Sequence, residues 1–264
     1  MPLYEQMKPE AFVDAITGDK REGRMFTEMT RRLLKEKRVS GFFLQGTPSQ
    51  PSPAEWDAFH KAFAGKTEPK GNQPAMPWGD WLVESLFPKM LYADAGHSLR
   101  KMVKDPRSYE IAGFSGIGNY NNSFGRMARP RDEVPEGFLV FMLDRIAGKY
   151  GGMPLYWFDV EYPEWVCAPL SGRPDIPKTG RTSVSCVMNY GFHLLNGKLS
   201  ITIGLRHLNW SHGWGDVYGA EAVLRAICKE AKCEPGLIYI FANSATMDEP
   251  KIAKAYLQER YHGV

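Results

Sequence analysis

The chain has 264 residues, of which 43% are hydrophobic and 24% are charged, a composition typical of globular proteins. Its formal net charge of +3 is too small to indicate nucleic-acid binding, although it suits an anionic small-molecule substrate. No run approaches the roughly 18 apolar residues of a membrane span, and the acidic N-terminus has no signal-peptide core, so we expect a cytoplasmic protein without a membrane partner.

The N-terminal half of the chain is predicted to be mainly helical. Apolar residues at spacings of three and four predict helices over 11–16 and 25–37, and the segment GFFLQG predicts a short strand after them. Ser52 and Pro53 begin another helix, because proline is favoured in a first helical turn. The stretch from Pro77 to Lys104 is also expected to be helical, and a further helix is expected over 136–148.

The C-terminal half mixes strands with helices. The segment MPLYWFDVEY predicts a buried strand, GRPDIPKTG a loop, AEAVLRAICKEA a helix, and residues 250–261 a terminal helix. This order of elements is compatible with either an α/β or an α+β fold. Neither a linker nor an internal repeat divides the chain, which predicts a single domain over residues 1–264.

The four cysteines, at positions 167, 186, 228 and 233, do not form a disulfide framework in a chain of this length. Cys228 and Cys233 lack histidines at ligand spacing, so we expect no metal site. Cys186 is different, because it lies 20 residues before Arg206 with a predicted hairpin between them. Asn196-Gly197 suits a type I′ turn, and an arginine that meets a thiol favours the nucleophilic thiolate.

The residues after this hairpin carry a family resemblance. The run RHLNWSHGWGDVYG follows the hairpin turn NGKLS and precedes EPGLIYI. Together with Cys186, these segments resemble the thymidylate synthase family, in which the catalytic cysteine stands the same distance before an arginine. The match has no gap from Cys186 to Gly213, continues at Glu234-x-Gly236, and covers about the C-terminal third of the chain.

The resemblance implies a fold, a reaction and a co-substrate. The fold would be thymidylate synthase-like: three layers, a large mixed sheet flanked by helices, and a homodimer that packs its sheets back to back. The reaction would be one-carbon transfer from 5,10-methylenetetrahydrofolate to C5 of a pyrimidine nucleotide. Cys186 would add to C6 of the base, and Arg206 would bind the phosphate, for which its planar donors are suited.

Asp216 is the informative departure from the family. With one residue deleted after Gly213, it stands where thymidylate synthases have the asparagine that reads uracil. A carboxylate accepts a hydrogen bond from the N4 amino group of cytosine but repels O4 of uracil. The same change marks the deoxycytidylate hydroxymethylases of this family, so CMP or dCMP is the expected substrate. If the gap belongs elsewhere, Val217 occupies this position instead.

Further site residues follow from the resemblance. His207 and Asn209 replace a serine and an aspartate of the family, and they would contact the substrate together with Thr246 and Asp248, which lie in the segment that holds the sugar. The remaining assignments place Trp78, Trp81 and Gly213 at the folate and Glu55 as the acid/base group, with Asp57 and His60 as alternatives.

The product depends on what adds to C5 after the one-carbon unit is captured. The polar residues His207, Asn209 and Ser211 favour water, which gives a hydroxymethyl group, over hydride, which gives a methyl group. Two alternatives stay open: an enzyme that methylates or hydroxymethylates a uracil nucleotide, and a nucleotide-binding relative without turnover.

Overall fold

The structure is a computed structural model that describes residues 24–64, 76–105, 124–125, 127–128, 135–149, 155–159 and 187–262. The helices of this part of the chain are α1 (Arg24–Glu36), α2 (Pro53–Ala62), α3 (Trp78–Leu86), α4 (Lys89–Asp94), α5 (Leu99–Met102), α6 (Phe138–Ile146), α7 (Trp210–Ala231) and α8 (Pro250–His262). The strands are β1 (Arg38–Gly46), β2 (Leu155–Asp159), β3 (Val187–Leu195), β4 (Lys198–Leu205), β5 (Leu208–Asn209) and β6 (Glu234–Thr246). None of the helices described combines the length and the apolar character that crossing a membrane requires.

The strands form one mixed sheet in the order β1-β6-β4-β3-β2, with β5 paired to the end of β6. Neighbouring strands are antiparallel, except that β4 and β5 each run parallel to β6. The parallel pair β4 and β6 is joined by α7, because parallel neighbours need a crossover connection. The expected mixed α/β architecture, a mixed sheet with helices packed on it, is therefore confirmed.

The two faces of the sheet differ sharply in burial. The inward face is apolar and fully or almost fully buried; among its residues are Phe42, Tyr190, Phe192, Leu199, Ile201, Ile203, Ile238, Ile240 and Ala242. Helices α1 and α7 contact the sheet and join its inward residues in one hydrophobic core. The outward face carries Phe43, Tyr239, Phe241, Thr202 and His193, which are partly or fully exposed.

The predicted hairpin is present as β3 and β4. Asn196 and Gly197 form its turn with φ angles of 50° and 75°, the left-handed conformation that a type I′ turn requires. Leu199, Ile201 and Ile203 point into the core and pair across the strands with Leu194, Phe192 and Tyr190, respectively. Buried residues thus alternate with partly exposed ones along most of β4, as in a strand with one face in the core.

The segment from Pro77 to Lys104 is largely helical, as predicted, and it is divided into three helices. Helix α3 ends at Leu86, just before Pro88, which cannot donate the hydrogen bond that a continuing helix needs. Gly96 and His97 adopt left-handed backbone angles between α4 and α5. The sequence analysis did not identify the residues that interrupt this helical segment.

Candidate functional site

The predicted nucleophile, Cys186, and the predicted phosphate-binding residue, Arg206, are each next in sequence to the end of the β3–β4 hairpin that lies opposite its turn. Val187, the residue after Cys186, pairs with Leu205, the residue before Arg206. The register shifts between Val187 and Asn189, and such bulges are common beside active sites. Arg206 is exposed, whereas Cys186 lies outside the described residues.

Three predicted substrate-binding residues meet where β5 pairs with the end of β6. The His207 ring contacts Asn209 Oδ1 at 2.9 Å and Thr246 Oγ1 at 3.1 Å through Nε2, and Ser244 Oγ at 2.6 Å through Nδ1. Thr246 also donates to Asn209 Oδ1 at 3.0 Å. Since an amide oxygen only accepts, Nε2 of His207 donates, and in a neutral ring Nδ1 then accepts from Ser244. These side chains therefore hold one another in place.

Asp248 is placed at the start of α7. One of its carboxylate oxygens accepts from the backbone N–H of Ser211 at 3.0 Å, and the other accepts from the Ser211 hydroxyl. A carboxylate at a helix N-terminus satisfies backbone donors and interacts favourably with the helix dipole. Asp248 therefore caps the start of α7. This role could not be predicted from the sequence, because Asp248 and Ser211 are 37 residues apart.

The same contacts orient His212. Its Nδ1 atom lies 3.1 Å from Ser211 Oγ, and because the serine proton is directed to Asp248, His212 donates to the serine. In a neutral imidazole the proton is then on Nδ1, which leaves Nε2 as the acceptor nitrogen. Asp248, Ser211 and His212 form a chain of hydrogen bonds that can hold a histidine in one tautomer.

The two tryptophans predicted to bind folate stack on each other between α3 and α7. Their ring centroids are 5.0 Å apart with an interplanar angle of 13°, and the side chains are 8% and 7% exposed for Trp78 and Trp81. Trp78 Nε1 donates to the Ser211 carbonyl at 3.2 Å, and its ring meets His212 edge to face at 5.6 Å. A ligand could contact only the margins of this stacked pair.

Asp216 lines a crevice between α3 and α7 that is too narrow to hold a water molecule. The crevice is lined by Leu82, Ser85, Leu86, His212, Gly215 and Asp216. Asp216 is only 2% exposed. His212 and Asp216 are four residues apart on α7 and therefore share one face of the helix. The crevice thus combines an acceptor carboxyl with an oriented histidine.

Glu55 lies in a separate buried cluster. Its side chain is fully buried, and Oε1 accepts from the Tyr256 hydroxyl at 2.9 Å and, at the longer distance of 3.5 Å, from Thr27. Oε2 makes no hydrogen bond to any residue that the structure describes. Burial raises the pKa of Glu55 to about 7, and the hydrogen bond from Tyr256 opposes this rise. Tyr218 of α7 lies near the same carboxyl.

The structure does not bring Glu55 together with Asp216. Tyr218, which reaches the Glu55 cluster, is two residues after Asp216 on the same helix, so the two side chains point about 160° apart around its axis. Glu55 and Asp216 consequently lie on different sides of α7. His212 shares the crevice with Asp216 and is better placed than Glu55 to exchange protons there.

Gly213 is buried in the core rather than on an open surface. A Cβ atom at this position would lie 2.3 Å from the Cε atom of Met29, so the glycine lets α7 approach α1 closely.

Two residues that were not predicted from the sequence, His212 and Ser85, line the crevice. The four-residue spacing of His212 and Asp216 indicates a shared helix face only where the segment is known to be helical.

The described residues contain no group of three or more His, Cys, Asp or Glu side chains that could hold a metal ion.

No protein-family model matches the chain, and no curated protein matches it. The family resemblance therefore rests on the sequence residues quoted for it.

Proposed function

We propose that this protein transfers a one-carbon unit from 5,10-methylenetetrahydrofolate to C5 of CMP or dCMP and produces 5-hydroxymethylcytidylate. The observation that carries the proposal is the pairing of Val187 with Leu205 at the open end of the hairpin. The proposal needs Cys186, which precedes Val187, to meet Arg206, which follows Leu205. This is the arrangement that their 20-residue spacing and the family resemblance require.

Covalent catalysis explains why a cysteine is needed. C5 of a pyrimidine is a poor nucleophile, and a thiolate that adds to C6 converts it into an enamine-like carbon. An adjacent guanidinium favours the thiolate over the thiol. The exposed Arg206 can also hold a phosphate with two parallel hydrogen bonds. One side chain thereby serves both binding and activation of the nucleophile.

Base selection is assigned to Asp216 and requires the crevice between α3 and α7 to open. The crevice is too narrow for a pyrimidine as it stands, and Asp216 is almost completely buried. A carboxylate in this setting accepts from the cytosine amino group, whereas uracil would present a second acceptor at a cost of about 1–3 kcal/mol. Cytosine is favoured for this reason.

His212 supports a hydroxymethyl product. It lines the crevice beside Asp216, and Ser211 and Asp248 hold its ring in one orientation. An acceptor nitrogen can orient a water molecule and take its proton as the oxygen adds. His207 and Asn209, in contrast, are bonded to each other and to Thr246, so we assign them a positioning role.

The folate assignment is weaker at Trp78 and Trp81, whose faces are stacked on one another. Their exposed margins suit contact with the edge of a pterin ring rather than stacking on it. The co-substrate would enter over these margins, next to His212, with which Trp78 is in ring contact.

The thymidylate synthase-like fold and its dimer are part of the proposal. The outward face of the sheet carries Phe43 and Tyr239, whose rings are 6.3 Å apart, and Phe241, which is 42% exposed. Aromatic residues on an exposed sheet face are typical of a surface that packs against a partner. A second copy of the chain is the partner that the family resemblance implies.

The narrow crevice favours a second candidate, a relative that binds a nucleotide without turnover. The two candidates are separated by incubating the protein with methylenetetrahydrofolate and each of CMP, dCMP, UMP and dUMP, and by identifying the products by mass. A hydroxymethyl product from a cytosine nucleotide supports the enzyme. Products from uracil nucleotides alone would contradict the role of Asp216, and nucleotide binding without any product would support the second candidate.

A further inference from the structure

The end of α7 places two cysteines next to each other. Lys232 adopts a left-handed conformation (φ 56°, ψ 43°), and the backbone N–H of Cys233 donates to the carbonyl of Cys228 at 3.1 Å. This six-residue closure is a hydrogen bond of the Schellman motif, in which the side chains of the two residues that it joins are frequently in contact. The helix ending itself therefore pairs Cys228 with Cys233.

The geometry is suitable for a covalent bond between them. With standard bond lengths, a 3.1 Å hydrogen bond between the two backbones keeps the Cα atoms within roughly 7 Å of each other. Disulfides join residues whose Cα atoms are about 4.4–6.8 Å apart. The two thiols also interact directly. Little backbone movement is needed to connect them.

The two thiols differ in access and in chemistry. Cys228 is 3% exposed, whereas Cys233 is partly exposed. The Cys228 thiol lowers the pKa of Cys233, and the same interaction raises the pKa of Cys228. Cys233 is consequently the thiol that ionises first and that a small molecule can reach, which are the two conditions for a reactive cysteine.

We propose that Cys228 and Cys233 are a thiol-oxidation site that forms a reversible disulfide at the junction of α7 and β6. The Cys233 thiolate attacks one sulfur of a small-molecule disulfide, and one thiolate leaves. Cys228 then loses its proton and attacks the Cys233 sulfur, which releases the second thiolate. Two protein thiols are oxidised and one disulfide is reduced to two thiols, so electrons and protons balance.

The second step becomes easier once the first has occurred. The pKa of Cys228 is raised chiefly by its interaction with the Cys233 thiol. A mixed disulfide at Cys233 removes this interaction, so the pKa of Cys228 falls and its thiolate forms more readily. The proposal is independent of the one-carbon chemistry, because neither cysteine belongs to the site described above.

The bond would fix the junction between α7 and the sheet. The next residue, Glu234, donates its backbone N–H to Gly197 in the hairpin turn at 2.9 Å. On the other side, Glu230 accepts from the Ser98 hydroxyl at 3.3 Å and from the Leu99 N–H at 3.2 Å. A disulfide between Cys228 and Cys233 would lie between these two contacts and restrain both.

The test is to incubate the native protein with oxidised glutathione, alkylate the remaining thiols and digest with trypsin. Lys229 and Lys232 lie between the two cysteines, so the peptides 226–229 and 233–251 are separate unless a disulfide joins them. We expect these two peptides to be joined, and to separate again after reduction. Failure to join them in excess oxidised glutathione, or joining of either to Cys167 or Cys186, would overturn the proposal.

Two variants test the order of the steps. Cys228→Ser should stop at a stable glutathione adduct on Cys233, because no second thiol is present to displace it. Cys233→Ser should leave the buried Cys228 without an adduct under the same conditions. An adduct on Cys228 in this variant, with circular dichroism that shows a folded protein, would contradict the assignment of Cys233 as the reacting thiol. The wild-type digest decides the proposal even if either variant does not fold.

Discussion

Tyr256 donates a hydrogen bond of 2.9 Å to Glu55 in the protein interior, although 201 residues separate the two in the chain. The bond connects α8 to the first turn of α2, and Thr27 of α1 joins it through a 2.9 Å contact with the Tyr256 hydroxyl. A buried carboxyl thus links three helices that lie at opposite ends of the sequence. Its protonation state must affect how well they pack.

The first prediction concerns Glu55 and pH. Its pKa is about 7 in the folded protein and 4.5 without burial. The folded state therefore binds the proton more tightly, so the contribution to stability is complete below pH 4.5 and is lost as the pH rises through 7. A shift of this size corresponds to about 3 kcal/mol. Glu55→Gln should remove this loss and raise the unfolding free energy at pH 8.

Urea denaturation between pH 4.5 and 8 measures the effect. Glu84 is also buried, and burial raises its pKa to about 7, so it adds a loss of the same sign that Glu55→Gln leaves in place. Glu28→Gln on the exposed side of α1 is the matched control and should follow the wild type. A Glu55→Gln variant with the pH dependence of the wild type would show that Glu55 does not titrate in this range.

The second prediction is that Cys186 is the nucleophile. Cys186→Ala should abolish release of tritium from C5 of a labelled cytosine nucleotide, because no adduct at C6 forms. Cys228→Ala is the control: Cys228 is at the far end of α7 from Arg206 and should leave the exchange unchanged. Exchange at the wild-type rate in folded Cys186→Ala would exclude the covalent mechanism.

The third prediction concerns Arg206. Replacement by Ala should raise KM for the nucleotide by about 10- to 100-fold, since charged hydrogen bonds contribute about 1.5–3 kcal/mol. Arg206→Lys should restore part of this loss, because lysine keeps the charge without the planar fork. Arg31→Ala on the surface of α1 serves as the control. If a nucleoside without phosphate proved as good a substrate as its monophosphate, the assignment would fail.

The fourth prediction is that Asp216 selects the base. Asparagine there can rotate its amide to donate to O4 of uracil, so Asp216→Asn should lower kcat/KM for cytosine nucleotides and raise it for uracil nucleotides. Mismatched polar groups in a site can change preference by up to about 10⁴-fold. A change of about tenfold or more towards uracil is the expected minimum, and an unchanged ratio would show that Asp216 does not face the base.

The fifth prediction compares two glycines of α7. Both substitutions by alanine gain up to about 1 kcal/mol in helix propensity. At Gly215 the new Cβ would lie 2.6 Å from the backbone oxygen of Leu82, so α3 and α7 must separate, and the net loss should be about 1–3 kcal/mol. At Gly213 the atom in the way is the flexible end of Met29, and the loss should be smaller. Equal losses in urea denaturation would contradict this reasoning.

These two glycines also show what the sequence could reveal and what it could not. Local patterns predicted the hairpin turn at Asn196-Gly197, the start of α2 at Ser52 and Pro53, and the apolar part of α7. The start of α7 at Trp210 was missed, because glycines ordinarily disfavour a helix. Here they permit close approach of α1 and α3, which is a tertiary effect.

The candidate site also combines features that local sequence patterns can predict with features that depend on the tertiary structure. The four-residue spacing of His212 and Asp216 places them on one face of α7 only once the helix is known to begin at Trp210, which the sequence did not predict. The pairing of Asp248 with Ser211 depends on how β6 returns to the start of α7, and the Glu55 cluster gathers side chains from four helices. No local pattern contains that information, and for this reason the sequence did not separate Glu55 from the crevice.

The pairing of β1 with β6 has a consequence for how the chain is made. Arg38 pairs with Thr246, so β1 cannot form this pairing until β6 is synthesised, about 200 residues later. Sheets built from such distant partners fold slowly. Until then β1, which includes the aromatic residues Phe42 and Phe43, lacks its partner strand β6, and its unpaired edge can associate with other chains. Newly synthesised chains should therefore depend on chaperones until β6 has been synthesised.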